Sequence, residues 1–81
     1  MSKVFVHLSS SHKDAKYEMS CLRGYENNVI KIDWNKLYVT LKNGDTHYFM
    51  SSYKYSQWCK GRTYFIGNKQ YHSGYEMKVG E

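Results

Sequence analysis

The groups able to do chemistry are four histidines (His7, His12, His47 and His72), two cysteines (Cys21 and Cys59) and the run Ser9-Ser10-Ser11 beside His12. Zinc sites in small domains usually show at least one close Cys or His pair, and none of these residues falls at ligand spacing. Neither a metal nor a cofactor is expected. Cys59, or a serine beside His12, could serve as a nucleophile. The strand-turn-helix elbow that makes such a serine informative is missing, and helix capping accounts for the run. His12, His47 or His72 with a lysine are the parts of an acid–base ribonuclease, the enzymatic alternative for a chain expected not to be an enzyme. The six glycines are dispersed as turn residues and build no phosphate loop.

Charge and aromatic content are more informative. The chain carries 12 Lys and Arg against 7 Asp and Glu, a formal net charge of +5 that attracts phosphates or acidic proteins. Between Asp45 and Glu76 there is no acid at all, while Lys54, Lys60, Arg62 and Lys69 fall in that window. The same window holds Tyr48, Phe49, Tyr53, Tyr55, Trp58, Tyr64, Phe65, Tyr71 and Tyr75. Lysine and arginine track phosphates, and flat rings accept unstacked bases, so this mixture suits single-stranded nucleic acid. Tyrosine and arginine are also enriched at protein interfaces. The phosphate contacts are therefore expected from Lys54, Lys60, Arg62 and Lys69, and the stacking from Tyr53, Tyr55, Tyr64 and Tyr71. Trp58 belongs to the site or to the core, and Tyr48 and Phe65 to the core.

The elements that must position these groups form one domain, residues 1–81, because 81 residues allow no more. A chain of this size buries only about 60% of the surface it would expose unfolded. Residues 3–8 are apolar and β-branched, and predict a strand. The serines then cap a helix in which Ala15, Met19 and Leu22 share a face, with Gly24 to end it and residues 26–28 as a loop. Ile30, Ile32 and Trp34 alternate with Lys31 and Asp33, a half-buried strand. Asn35-Lys36 turns the chain into a second alternating run, Leu37 to Leu41. Asn43-Gly44 predicts a two-residue hairpin turn in which Thr40 faces His47 and Tyr38 faces Phe49. Ser51 or Ser52 caps a short helix through Trp58 that ends near Gly61. Thr63–Ile66 and Gln70–His72 are strands around a Gly67-Asn68-Lys69 turn, and residues 76–81 a frayed tail. The expected fold is α+β, an antiparallel sheet of about five or six short strands with one or two helices packed on it.

Two resemblances bear on function. Val4-Phe5-Val6-His7-Leu8 and Lys60-Gly61-Arg62-Thr63-Tyr64-Phe65-Ile66 look like the two strand signatures of the RNA-recognition motif. Arg62 stands where an aromatic belongs, and the second run follows the second helix, where that family places its fourth strand; the likeness is set aside. The run Ser51-Ser52-Tyr53-Lys54-Tyr55-Ser56-Gln57-Trp58-Cys59-Lys60-Gly61-Arg62-Thr63-Tyr64-Phe65, with Gln70-Tyr71-His72-Ser73-Gly74-Tyr75, resembles small accessory proteins of T4-like tailed bacteriophages. Some proteins of that kind disarm host defences, one by countering the ribonuclease of a toxin–antitoxin system together with RNA. That resemblance implies an RNA-assisted, counter-defence inhibitor of a host nuclease toxin.

The partner expected is thus RNA, more single-stranded than duplex, with a host protein as a further partner. The alternative is an inhibitor that grips an acidic host protein without nucleic acid. With only two cysteines and an N-terminal apolar run too short for a signal peptide or a span, the chain reads as cytoplasmic (the host's cytoplasm if viral), thiols reduced and no membrane involved.

Overall fold

The computed structural model describes residues 2–21 and 27–77. Its strands are β1 (Val4–Ser9), β2 (Val29–Asp33), β3 (Tyr38–Leu41), β4 (Thr46–Ser51), β5 (Thr63–Ile66), β6 (Lys69–His72) and β7 (Tyr75–Glu76). Its helices are α1 (His12–Ser20) and α2 (Ser52–Trp58). The strands form one sheet in the order β2-β3-β4-β1-β5-β6-β7. The fold is α+β as expected, with seven strands where about five or six were predicted. Most pairings are antiparallel, but β1 lies in the middle and runs parallel to both β4 and β5.

Strand alternation divides the molecule into two cores. Phe49 packs with Ala15 and Met19 of α1, and with Leu37 and Val39, on one face. Met50, the next residue of β4, packs on the opposite face with Val6, Tyr64 and Cys59, joined by Tyr48, Tyr55, Trp58 and Tyr71. The two helices therefore cover opposite faces of the sheet. Ser11 caps α1 by accepting from the Asp14 amide at 3.1 Å, and Ser51 caps α2 by accepting from the Lys54 amide at 3.3 Å. Leu22 and Gly24, expected to close α1, and Glu26 of the expected loop lie outside the described residues.

Three expectations need correction. The central hairpin is closed by three residues, Lys42 to Gly44, so that Tyr38 pairs with Tyr48, Val39 with His47 and Thr40 with Thr46. Gly44 sits at φ +93, and its amide donates to the Leu41 carbonyl at 2.9 Å, the geometry of a turn followed by a left-handed residue. That slip of one residue leaves Leu37 and Val39 on the face of Phe49, and sends Tyr38 to the face of Tyr48. Leu37 is not in the strand: the Asp33 carboxylate accepts from the Asn35 and Lys36 amides, and Leu37 closes this tight turn at φ +56 with its side chain buried. Finally Glu76, expected in a loose tail, pairs in β7, and the Met77 amide donates to the Gln70 carbonyl at 2.8 Å.

Candidate nucleic-acid interface

Five rings form a continuous row on the α2 face. Tyr38 of β3 meets Tyr48 of β4 at 5.2 Å between centroids, and Tyr48 meets Trp58 of α2 at 5.1 Å. Trp58 meets Tyr64 of β5 at 5.3 Å, and Tyr64 stacks on Tyr71 of β6 at 5.9 Å. The order follows from the sheet: residues of one parity on β3, β4, β5 and β6 share a face, and α2 lays Trp58 across them. Tyr38, Tyr48, Trp58 and Tyr71 are half-buried, so part of each residue reaches solvent.

Cations flank the row. The Arg62 guanidinium lies 4.8 Å from the Trp58 ring centroid, and the Lys31 ammonium 5.6 Å from that of Tyr38. The Tyr38 hydroxyl beside Lys31 raises the ammonium pKa, keeping the charge in place. Lys60 is exposed on the turn after α2, and Lys54 is half-buried on the helix. Lys69 is exposed but 3.6 Å from Glu76, which β7 returns to the edge of this face. Sequence spacing hid that pairing, because Glu76 stood at the far end of the acid-free window.

The structure thus gathers Tyr55, Trp58, Arg62, Tyr64 and Tyr71 of the expected site around one row. Tyr53 points away from it, 77% exposed on the outer side of α2. Tyr64 is a correction. With 0% exposure it offers no face to a base; its hydroxyl is hydrogen-bonded to that of Tyr55, and burial raises its phenol pKa. It is the centre of the second core and supports the rings on either side. Sequence reasoning missed Lys31, Tyr38 and Tyr48 as members of the row. Tyr38 and Tyr48 join it only through the hairpin register.

The α1 face holds a second row that sequence reading did not anticipate. Phe5 of β1 stacks on His47 of β4 at 4.7 Å, and His7 stacks on Phe49 at 4.6 Å. His7 Nε2 and His47 Nδ1 are 2.9 Å apart, so one ring donates and the other accepts. Burial lowers the pKa of both imidazoles; Glu18 offsets this in part at His7, while at His47 the neighbouring His7 lowers it further and Asp45 offsets. The signal was present in the ring-x-ring pairs Phe5-Val6-His7 and His47-Tyr48-Phe49, but only the parallel pairing of β1 with β4 makes them meet. His72 hydrogen-bonds Thr63 at 2.8 Å.

Cys59 is buried, Cys21 is exposed and both are free. Among the described residues no group of three or more His, Cys, Asp or Glu is placed to hold a metal ion, and no helix is long and apolar enough to cross a membrane. No protein-family model matches the chain, and no curated protein or solved structure is significantly similar to it.

Proposed function

We propose that this protein binds single-stranded RNA on its α2 face, and that it does so as an accessory inhibitor of a host nuclease. The observation that carries the RNA reading is the ring row from Tyr38 to Tyr71 with Arg62 over Trp58 and Lys31 over Tyr38. Open ring edges and faces receive unstacked bases, and the flanking cations receive phosphates without needing a base sequence. Arg62 adds two parallel donors in a fixed plane, suited to a phosphate, and its stacking on Trp58 holds that plane in position before RNA arrives. The setting, inhibition of a host defence nuclease, is supported by the resemblance of the Ser51–Phe65 segment to phage accessory proteins.

The decisive experiment is a titration of nuclease-treated protein with single-stranded RNA, duplex RNA and duplex DNA at two salt concentrations. The proposal expects tight single-strand binding that weakens as salt rises. Lys60→Ala with Arg62→Ala should lower affinity and reduce the slope of log K against log salt by about 1.4, as two phosphate contacts are lost. Unchanged binding by the double variant would remove these residues from the site. A host protein that is captured after nuclease treatment, with no RNA bound at low salt, would establish the protein-only inhibitor in its place.

A further inference from the structure

Helix α1 has three stripes. Ala15 and Met19 face the core and are buried. Asp14 and Glu18 lie on one flank, where each carboxylate accepts from a serine: Ser10 at 2.5 Å for Asp14, and Ser9 at 2.8 Å for Glu18. On the opposite flank Lys13, Lys16, Tyr17 and Ser20 fall at i, i+3, i+4 and i+7, one line along the helix. This line and the indole of Trp34, from the turn after β2, enclose a shallow open depression. Tyr17 is 70% exposed and Trp34 49%, and among the described residues the lining contains no acid. The helix has separated its charges so that both acids are occupied elsewhere and both lysines border the two rings.

We infer that the Lys13–Lys16–Tyr17–Trp34 depression is a second contact for single-stranded nucleic acid, with a base against Trp34 and Tyr17 and phosphates on Lys13 and Lys16. This rests on the RNA reading above and extends it to the other side of the molecule. The occupant follows from charge: two cations that no acid pairs among the described residues, beside two exposed rings, fit a phosphate-linked chain of bases. Position connects the two surfaces. Trp34 directly follows β2, the edge strand that also carries Lys31, the cation at the end of the ring row. A nucleic-acid strand leaving the row at Tyr38 and Lys31 passes round the β2 edge into the depression, where among the described residues no further β-strand lies in the way.

The two tryptophans report the two surfaces separately, since the chain has no others. The protein is labelled with 5-fluorotryptophan, and its two fluorine resonances are assigned with Trp34→Phe and Trp58→Phe. Unlabelled oligouridine of about 16 nucleotides is then titrated into the otherwise wild-type protein. Both resonances should shift, and Lys13→Gln with Lys16→Gln should abolish the Trp34 shift, keep the Trp58 shift and weaken affinity about tenfold at low salt. The melting temperature of that double variant should match the wild type, because both lysines are exposed. A Trp58 resonance that shifts while Trp34 stays fixed overturns the second contact and leaves the α2-face proposal standing. If neither resonance responds, the RNA reading and this extension fall together. A Trp34 shift that survives loss of both lysines also overturns the site as drawn.

Discussion

Tyr53 and Tyr64 share one chemistry and differ in every surrounding. Tyr64 contacts Tyr55, Trp58 and Tyr71 by its ring and Tyr55 again by its hydroxyl. Tyr64→Phe removes the hydroxyl's hydrogen bonds with Tyr55 and with the Gly74 backbone and should cost about 1–3 kcal/mol. Tyr64→Ala should cost about 3–5 kcal/mol, through lost burial and a cavity. Against a total stability of about 4–12 kcal/mol for a chain of this length, that loss takes from about a quarter to all of the stability. Urea denaturation followed by circular dichroism checks both. Tyr53→Ala, by contrast, should leave stability within about 0.5 kcal/mol and RNA affinity near that of the wild type, because Tyr53 is 77% exposed on the side of α2 away from the row. A clear loss of RNA affinity in Tyr53→Ala would extend the interface to the outer side of α2.

Among the elements, α2 and the central hairpin decide whether the row exists. Helix α2 is only 7 residues long, too short to hold itself together by propensity. Its Ser51 cap and its packing through Tyr55 and Trp58 keep it in place. Ser51→Ala should cost about 1 kcal/mol, and the loosening should register as a red shift of Trp58 emission in a Trp34→Phe background. The hairpin depends on Gly44, whose φ of +93 is hostile to other residues and whose added Cβ would stand 3.1 Å from Ser2 Cβ. Gly44→Ala should cost about 1–2 kcal/mol by thermal unfolding. A variant as stable as the wild type would mean that the turn has another conformation.

For the whole molecule, the joined histidines predict how stability depends on pH. His7 and His47 have lowered pKa values when folded, chiefly from burial, so the unfolded chain binds protons first as pH falls. Their contribution is complete above the ordinary histidine value of 6.5 and is lost as pH drops below it toward the folded values. Glu18 and Asp45 moderate the loss without reversing it. The urea midpoint should therefore be lower at pH 5.5 than at pH 7.5, and His7→Phe with His47→Phe should flatten that dependence while keeping the stacked rings. An unchanged slope in the double variant would assign the acid sensitivity to other groups.

Local signals in the sequence carried the elements and their kinds. Serine hydroxyls marked both helix starts, β-branched and alternating runs marked the strands, and Asn43-Gly44 marked the hairpin, because caps, periodicity and positive φ are decided within a few residues. The excess of cations and rings in the second half was legible for the same reason: it is composition. Partnership across the sheet was not. Both neighbours of β1 come from distant parts of the chain, and no local pattern states that they are parallel to it. Ile30, Ile32 and Trp34 alternate as one face of a strand would, yet Ile30 and Ile32 lie 62% and 48% exposed because β2 is an edge strand, and Trp34, 49% exposed, falls beyond β2 in the turn. Thr63-Tyr64-Phe65-Ile66 has large residues on both faces, so periodicity could not choose whether Tyr64 or Phe65 is the one to bury. The sequence by itself determined an α+β domain with a basic, ring-rich half; the tertiary structure alone decided which rings face outward, because burial depends on neighbours that the sheet order supplies.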